Sequence, residues 1–355
     1  MKTPCHMTVR SQAFACNCGD RPFSRRDFLT GAAAAMLVLR AHGADAAKSG
    51  SGARHAAGDL PAIDIHAHSM HRDRRDEDFI VHQRNTGIRT TILLPGDAFA
   101  HRMWGVAGND HVRDLARRYP DHFLRYAVED VSLSGASQVI ERELKAGAIG
   151  IGELKNKVAC DSIEMQRIAG VARDYDVPML IHFQDGAYND GFARFDRMLE
   201  KFPTVKFIAH AQSFWAHIDG KYQASNGPYP KGSVAAGGLA DRWLADYPNF
   251  YGDLSAGSGN QALMRDPGFT PGFLTRHQDK LLYGSDCYCP TGVGPQCLAA
   301  TKLRLLREFA RNESILTKIL FGNARKLYRI PKAHLAGFAE DSSREFDRAT
   351  RRIRL

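Results

Sequence analysis

The run Ile63-Asp64-Ile65-His66-Ala67-His68 places two imidazoles two residues apart at the end of an apolar stretch. Residues so spaced on a strand point the same way, so both rings can reach one cation. Three more polar residues close apolar runs in the same manner: His182 in Leu180-Ile181-His182-Phe183, His210 in Phe207-Ile208-Ala209-His210, and Asp286 in Tyr283-Gly284-Ser285-Asp286. Neutral imidazoles with a carboxylate are a ligand set for Zn²⁺, with Mn²⁺ or Fe²⁺ as alternatives. One histidine at a strand end is usually structural. Four with an aspartate, each behind an apolar run, point to a metal centre.

The elements that must position these residues follow from spacing. Short apolar runs at 62–66, 90–94, 123–128, 148–153, 178–183, 205–210, 250–254 and 281–286 read as eight strands. Amphipathic stretches lie between them. Asp161 and Glu164 form a capping box ahead of Ile168, Val171, Ala172 and Tyr175. Ala136, Ile140 and Leu144 share a face that ends at Gly147. Another apolar face is made by Ile315, Leu316, Ile319 and Leu320.

Strands alternating with helices predict parallel βαβ units. From His68 to Asp286 the repeat is about 31 residues, the unit of an eight-fold α/β barrel of about 250 residues. The fold expected is therefore a (β/α)₈ TIM barrel, in which strand ends converge on one catalytic rim. An open doubly wound sheet is the alternative. It would want a Gly-rich loop after the first strand, where His-Ala-His stands instead.

At 355 residues, 44% apolar and 25% charged, the chain has the composition of a folded globular protein. No run of 18 uncharged apolar residues argues for a permanent membrane anchor. The formal charge is +9, and residues 1–46 hold six basic and three acidic side chains, so a third of it lies there. Much of the rest sits at Arg344, Arg348, Arg351, Arg352 and Arg354, in a tail over 331–355. A terminal basic run without interleaved aromatics reads as a solvated tail, and nucleic acid is not expected as a partner.

Ser24-Arg25-Arg26-Asp27-Phe28-Leu29 resembles the twin-arginine export signal. An Ala-rich uncharged run at 30–39 and the small-x-small site Ala44-Asp45-Ala46 complete a signal peptide over 1–46. A flexible linker follows at 47–59, and the barrel spans 60–330. The expected partners are the export machinery and a small-molecule substrate; the location is periplasmic or secreted, and self-association is left open. Cys160, Cys287, Cys289 and Cys297 lie beyond the signal; an oxidising compartment permits a disulfide among the last three. A Cys-x-Cys zinc site at Cys287 and Cys289 lacks a second pair of ligands.

Over about 60–330 the sequence resembles the amidohydrolase superfamily, in its amidohydrolase-related (family 2) group. The resemblance rests on Asp64–His68, the strand-five and strand-six histidines, Gly284-Ser285-Asp286, and the closing Gly322-Asn323-Ala324-Arg325-Lys326-Leu327-Tyr328. It implies that His66, His68 and His182 ligate metal and that Asp286 binds metal and accepts the proton of the attacking water. It implies that His210 is a second-metal ligand, or a catalytic group acting on substrate where one metal is bound. Glu153, at the fourth strand, stands where relatives carry a carboxylate or carboxylated lysine bridging two metals; Lys155 is the alternative. His210-Ala211-Gln212 departs from the family's His-x-Gly and puts Gln212 near substrate. Asp64 is expected to hydrogen-bond a ligand imidazole, and Asp253 either to face substrate or to be structural.

The expected reaction is hydrolysis of an amide, lactone or other ester by metal-activated water, with one or two ions per chain. Non-oxidative decarboxylation, also found in the family, is the alternative. A barrel that binds metal without turnover is a third reading, against which the full ligand set argues. Substrate identity lies in loops such as 96–108 and 213–240, which no motif specifies.

Overall fold

The computed structural model describes residues 60–330; the export motif, the linker and the basic tail lie outside them. Eight strands follow in order: β1 (Ala62–Ala67), β2 (Ile88–Leu93), β3 (Phe123–Arg125), β4 (Ile151–Leu154), β5 (Met179–His182), β6 (Phe207–His210), β7 (Phe250–Asp253) and β8 (Leu281–Leu282). Every pairing is parallel, β1 to β3 in one run and β4 to β8 in the other. Two seams close the ring. Ala127 bridges to Ile151, with Ala127 N–H on the Gly150 carbonyl at 2.9 Å and Gly152 N–H on the Ala127 carbonyl at 2.9 Å. Ile65 N–H reaches the Tyr283 carbonyl at 3.0 Å and joins β1 to β8. The architecture is the (β/α)₈ barrel. Among the described residues no helix is long and apolar enough to cross a membrane.

The strand period separates two apolar layers. Ile63, Ile65, Ile92, Leu94, Tyr126, Leu180, Ile208 and Leu282 fill the barrel interior, with Ala324 and Ile330 packed beneath them. Ile151, Met179, Ile181, Phe207 and Phe250 face outward onto Ile140, Ile168, Leu199 and Trp243 of the surrounding helices. Leu180 and His182 therefore share the inner face, as do Ile208 and His210: apolar below, imidazole above.

β1 reaches the same end by a bulge. Asp64 pairs with Thr91 and Ala67 with Leu93, three residues against two. The extra residue lets Ile63 and Ile65 face the interior and then turns His66 and His68 inward as well.

Several predicted boundaries differ. β8 pairs only at Leu281 and Leu282. The next amides leave the ladder: Tyr283 N–H bonds the Ile319 carbonyl at 3.0 Å, Ser285 N–H bonds Asp64 Oδ1 at 2.8 Å, and Asp286 N–H bonds the His66 carbonyl at 2.7 Å. The helix Ile163–Asp174 is capped by Ser162, whose hydroxyl accepts from Met165 N–H at 3.3 Å. Asp161 is instead drawn to the guanidinium groups of Arg194 and Arg197. The helix Ala136–Lys145 is one boundary that agrees: Ala146 caps it and Gly147 follows at φ +95°, a conformation open to glycine. The apolar face at 315–320 is split between a helix, Glu313–Thr317, and a π-helical turn, Lys318–Gly322.

Candidate metal centre

At the C-terminal rim His66, His68, Glu153, His182, His210 and Asp286 converge. His66 Nε2 and His68 Nε2 lie 3.3 Å apart. Glu153 Oε2 is 3.7 Å from the first and 3.3 Å from the second. Its other oxygen, Oε1, is 2.6 Å from His182 Nδ1 and 3.5 Å from His210 Nε2. Asp286 Oδ1 stands 3.6 Å from His68 Nε2 and 4.0 Å from His66 Nε2. Glu153 thus faces two clusters at once, His66 with His68 on one side and His182 with His210 on the other. Ligand atoms at about 2.1 Å from a common ion sit about 3 to 4 Å from one another. Apart from the 2.6 Å contact, which is a hydrogen bond, the spacings above fall in that range.

Outer partners orient the rings. His66 Nδ1–H donates to Asp253 Oδ2 at 2.7 Å. His68 Nδ1–H donates to the Leu94 carbonyl at 2.8 Å. Ser255 Oγ donates to Asp253 Oδ2 at 2.7 Å and accepts from His210 Nδ1–H at 2.9 Å. In these three rings the tautomer assigned by the network protonates Nδ1 and leaves the Nε2 lone pair aimed at the centre. His182 is held differently, with Nε2 3.3 Å from Gln184 Oε1.

Electrostatics favour neutral rings at His210 and His182, ionised carboxylates around them, and a proton at His66. Burial pushes the His210 pKa down to about 3, and His66 beside it adds to the fall. Burial and the Lys155 charge lower that of His182. Burial would protonate Glu153, yet the surrounding imidazoles hold its pKa well below the usual range. Asp286 and Asp253 are likewise lowered against burial, the first by His66 and His68, the second chiefly by His66. Burial also opposes charge on His66, but Asp253 beside it outweighs that and raises its pKa well above normal. Ionised carboxylates with mainly neutral imidazoles are the forms that bind a divalent ion, and the His66 proton stands where cation charge is wanted. Asp286 Oδ1 is buried with no hydrogen-bond partner. An orphaned carboxylate oxygen aimed at ligand nitrogens is accounted for by a cation.

Other sequence expectations meet the structure unevenly. Asp64 does not bond an imidazole: Oδ1 accepts the backbone N–H groups of His66 at 3.1 Å and Ser285 at 2.8 Å, and Oδ2 accepts the Ser285 hydroxyl. It braces β1 to the turn after β8, because the bulge puts it outside the barrel. Asp253 is the carboxylate that holds an imidazole. Lys155 does not reach the space between the clusters; its ammonium lies 4.1 Å over the Trp104 ring and 5.3 Å over that of Tyr188. Gln212 donates to the Tyr229 hydroxyl at 2.9 Å, tying the rim to the 217–240 loop. Sequence reasoning missed Ser255, although it follows Asp253 by two at a strand end. It also missed His71, which lies off every strand with Nδ1 3.9 Å from Asp286 Oδ1. All four cysteines of the described residues are free thiols, so no disulfide forms among Cys287, Cys289 and Cys297.

The sequence pattern described as amidohydrolase matches residues 63–330. No curated protein matches the sequence. Among solved structures, the chain is similar to an uncharacterized TIM-barrel protein from Bordetella bronchiseptica, at 15% identity and TM-score 0.54, covering 76% of this chain and 99% of that one. It is similar to a probable 2-pyrone-4,6-dicarboxylic acid hydrolase from Acinetobacter baumannii with citric acid bound, at 12% identity and TM-score 0.51, covering 76% and 99%. A dihydroxybenzoic acid decarboxylase from Polaromonas sp., with bound manganese and 2-nitroresorcinol, aligns at 18% identity and TM-score 0.50, covering 79% and 100%. At such identities the likeness is one of fold.

Proposed function

This chain belongs to the amidohydrolase family, whose members include metal-dependent hydrolases and decarboxylases, and from that premise we propose that it is a hydrolase in which Glu153, with His66, His68, His182, His210 and Asp286, would hold two divalent ions. The observation that carries this reading is the double engagement of Glu153, one oxygen toward His66 and His68 and the other toward His182 and His210. The donors are imidazole and carboxylate without thiolate, a set that suits Zn²⁺ and also admits Mn²⁺ or Fe²⁺.

When bound, such ions supply an acidified water and a Lewis acid for a carbonyl oxygen. Asp286, held ionised and with Oδ1 unpartnered, is the group that would accept a proton from a water so activated and pass it to a leaving group. Asp253 and Ser255 fix the His66 and His210 ring orientations, so each ring turns Nε2 toward the centre. Glu153 keeps its charge because four imidazoles surround it. The mouth carries Lys155 over Trp104 and Tyr188, and Arg72 4.7 Å over Tyr288. Cations on aromatic walls suit a small planar substrate bearing a carboxylate. With the twin-arginine motif, the reading makes the protein an exported enzyme, loaded with metal before it crosses.

Metal analysis of the purified protein tests this. Glu153→Gln is expected to hold one equivalent of metal per chain fewer than wild type, with Asp286→Asn folded, metal-loaded and inactive on ester and lactone substrates. The same metal content in wild type and Glu153→Gln overturns the two-ion hydrolase and leaves decarboxylation as the family's other reaction.

A further inference from the structure

A second cluster of ligand-type side chains lies behind the rim, apart from the centre described above. His82 comes from the helix Asp76–Thr86, Cys287 from the turn after β8, and Cys297 from the cap of the helix Leu298–Phe309. All three are buried, at 2%, 1% and 0% exposure. Cys287 Sγ and Cys297 Sγ are 3.7 Å apart, and Cys297 Sγ is 3.7 Å from His82 Nε2. The three donor atoms lie within 4.8 Å of one another.

We propose that Cys287, Cys297 and His82 form a separate metal site that takes a thiophilic cation, Zn²⁺ in the first instance. With zinc–sulfur bonds of about 2.3 Å and a zinc–nitrogen bond of about 2.0 Å, a tetrahedral ion holds two sulfurs about 3.8 Å apart and sulfur about 3.6 Å from nitrogen. The observed separations match that edge length. A disulfide needs its sulfurs at about 2.05 Å, and the imidazole aimed at Cys297 has no part in one.

A backbone N–H points at each sulfur. Cys289 N–H points at Cys287 Sγ at 3.4 Å, and Ala300 N–H points at Cys297 Sγ at 3.4 Å. Cys297 also caps a twelve-residue helix, where the backbone favours negative charge. Cys289 turns away, with Sγ near Thr291 Oγ1 at 3.5 Å, so the spacing Cys287-x-Cys289 is not the ligand pair. The site would have three protein ligands and a fourth position left to water.

The scaffold around it is rigid. Asn85 Nδ2–H donates to the Thr291 carbonyl at 2.8 Å, and Gly292 at φ +72° has room for no side chain because a Cβ would lie 2.7 Å from the His82 carbonyl. Cys287 directly follows Asp286, and its N–H donates to Ser285 Oγ at 3.2 Å. A cation here would tie the turn bearing Asp286 to two helices. Its role is to hold that turn in place.

Cobalt substitution separates this site from the rim, which holds no thiolate. The full chain, purified reduced and stripped of metal, is titrated with Co²⁺ and followed in the near ultraviolet. The expected result is a sulfur-to-cobalt charge-transfer band that saturates within three equivalents, the rim taking up to two of them, and that is lost in Cys287→Ser and in Cys297→Ser and retained in His182→Ala. Thiol titration of the denatured wild type should count every cysteine as free. No band from reduced, folded wild type overturns the proposal, and so does a thiol count short by two in protein purified without reductant, which would mean a disulfide. Because wild type alone decides both outcomes, a variant that fails to fold does not blunt the test.

Discussion

Asp253→Asn isolates what one buried carboxylate does for the metal centre. Asp253 is fully buried, and each of its oxygens has an assigned donor: Oδ1 takes Ser255 N–H at 2.9 Å, and Oδ2 takes His66 Nδ1–H at 2.7 Å and the Ser255 hydroxyl at 2.7 Å. Asparagine keeps the shape but replaces one acceptor by an amide donor. If the amide nitrogen takes the Oδ2 place, it faces the His66 Nδ1–H and the Ser255 hydroxyl. If it takes the Oδ1 place, it faces the Ser255 N–H. Neither orientation satisfies all donors, and the first drives His66 to the tautomer whose Nε2–H blocks its own ligand lone pair. Loss of such an outer partner typically costs 10- to 100-fold in metal affinity, about 1.4 to 2.7 kcal/mol. The assay is competition for Zn²⁺ against a chromogenic chelator at neutral pH, with metal-free unfolding in urea measured in parallel. A folded Asp253→Asn variant that binds Zn²⁺ within twofold of wild type would refute the argument that this carboxylate orients His66.

Two further outcomes concern stability. Lys302 sits in the core with no partner for Nζ, and burial, only partly offset by Asp253, pushes its pKa down from 10.5 to about 7. Between those values the unfolded chain carries a proton that the folded chain does not, so wild-type stability rises with pH across that window, by about 5 kcal/mol at most. Lys302→Met should therefore be more stable than wild type at pH 7 by several kcal/mol, with the gain shrinking toward pH 10; equal urea midpoints at both pH values would contradict this. Glu143, fully buried, accepts from Arg113 at 2.8 Å and from Arg125 at 3.1 Å. Glu143→Gln should cost about 3 kcal/mol in urea unfolding by leaving Arg125 buried without its counter-charge, and a loss under 1 kcal/mol would show that water reaches it.

The barrel and the rim residues were legible in the sequence because both rest on short-range periodicity. A polar residue ending an apolar run is a strand-end signal, and a constant repeat length is a barrel signal. What tertiary structure decided are matters of contact between distant segments. Asp64 and Asp253 are both acidic residues on strands, yet only the β1 bulge and the closure of β8 onto β1 determine that the first braces backbone and the second holds His66. The capping residue moved from Asp161 to Ser162 because Arg194 and Arg197, more than thirty residues on, claim the aspartate. Spacing left the pairing among Cys287, Cys289 and Cys297 open, while folding brings Cys287 to Cys297 and adds His82 from a helix more than two hundred residues earlier. Sequence pattern records which residues share a face of one element, since that repeats every two or 3.6 residues. It holds no record of which faces meet, because that depends on how the whole ring of strands closes and packs.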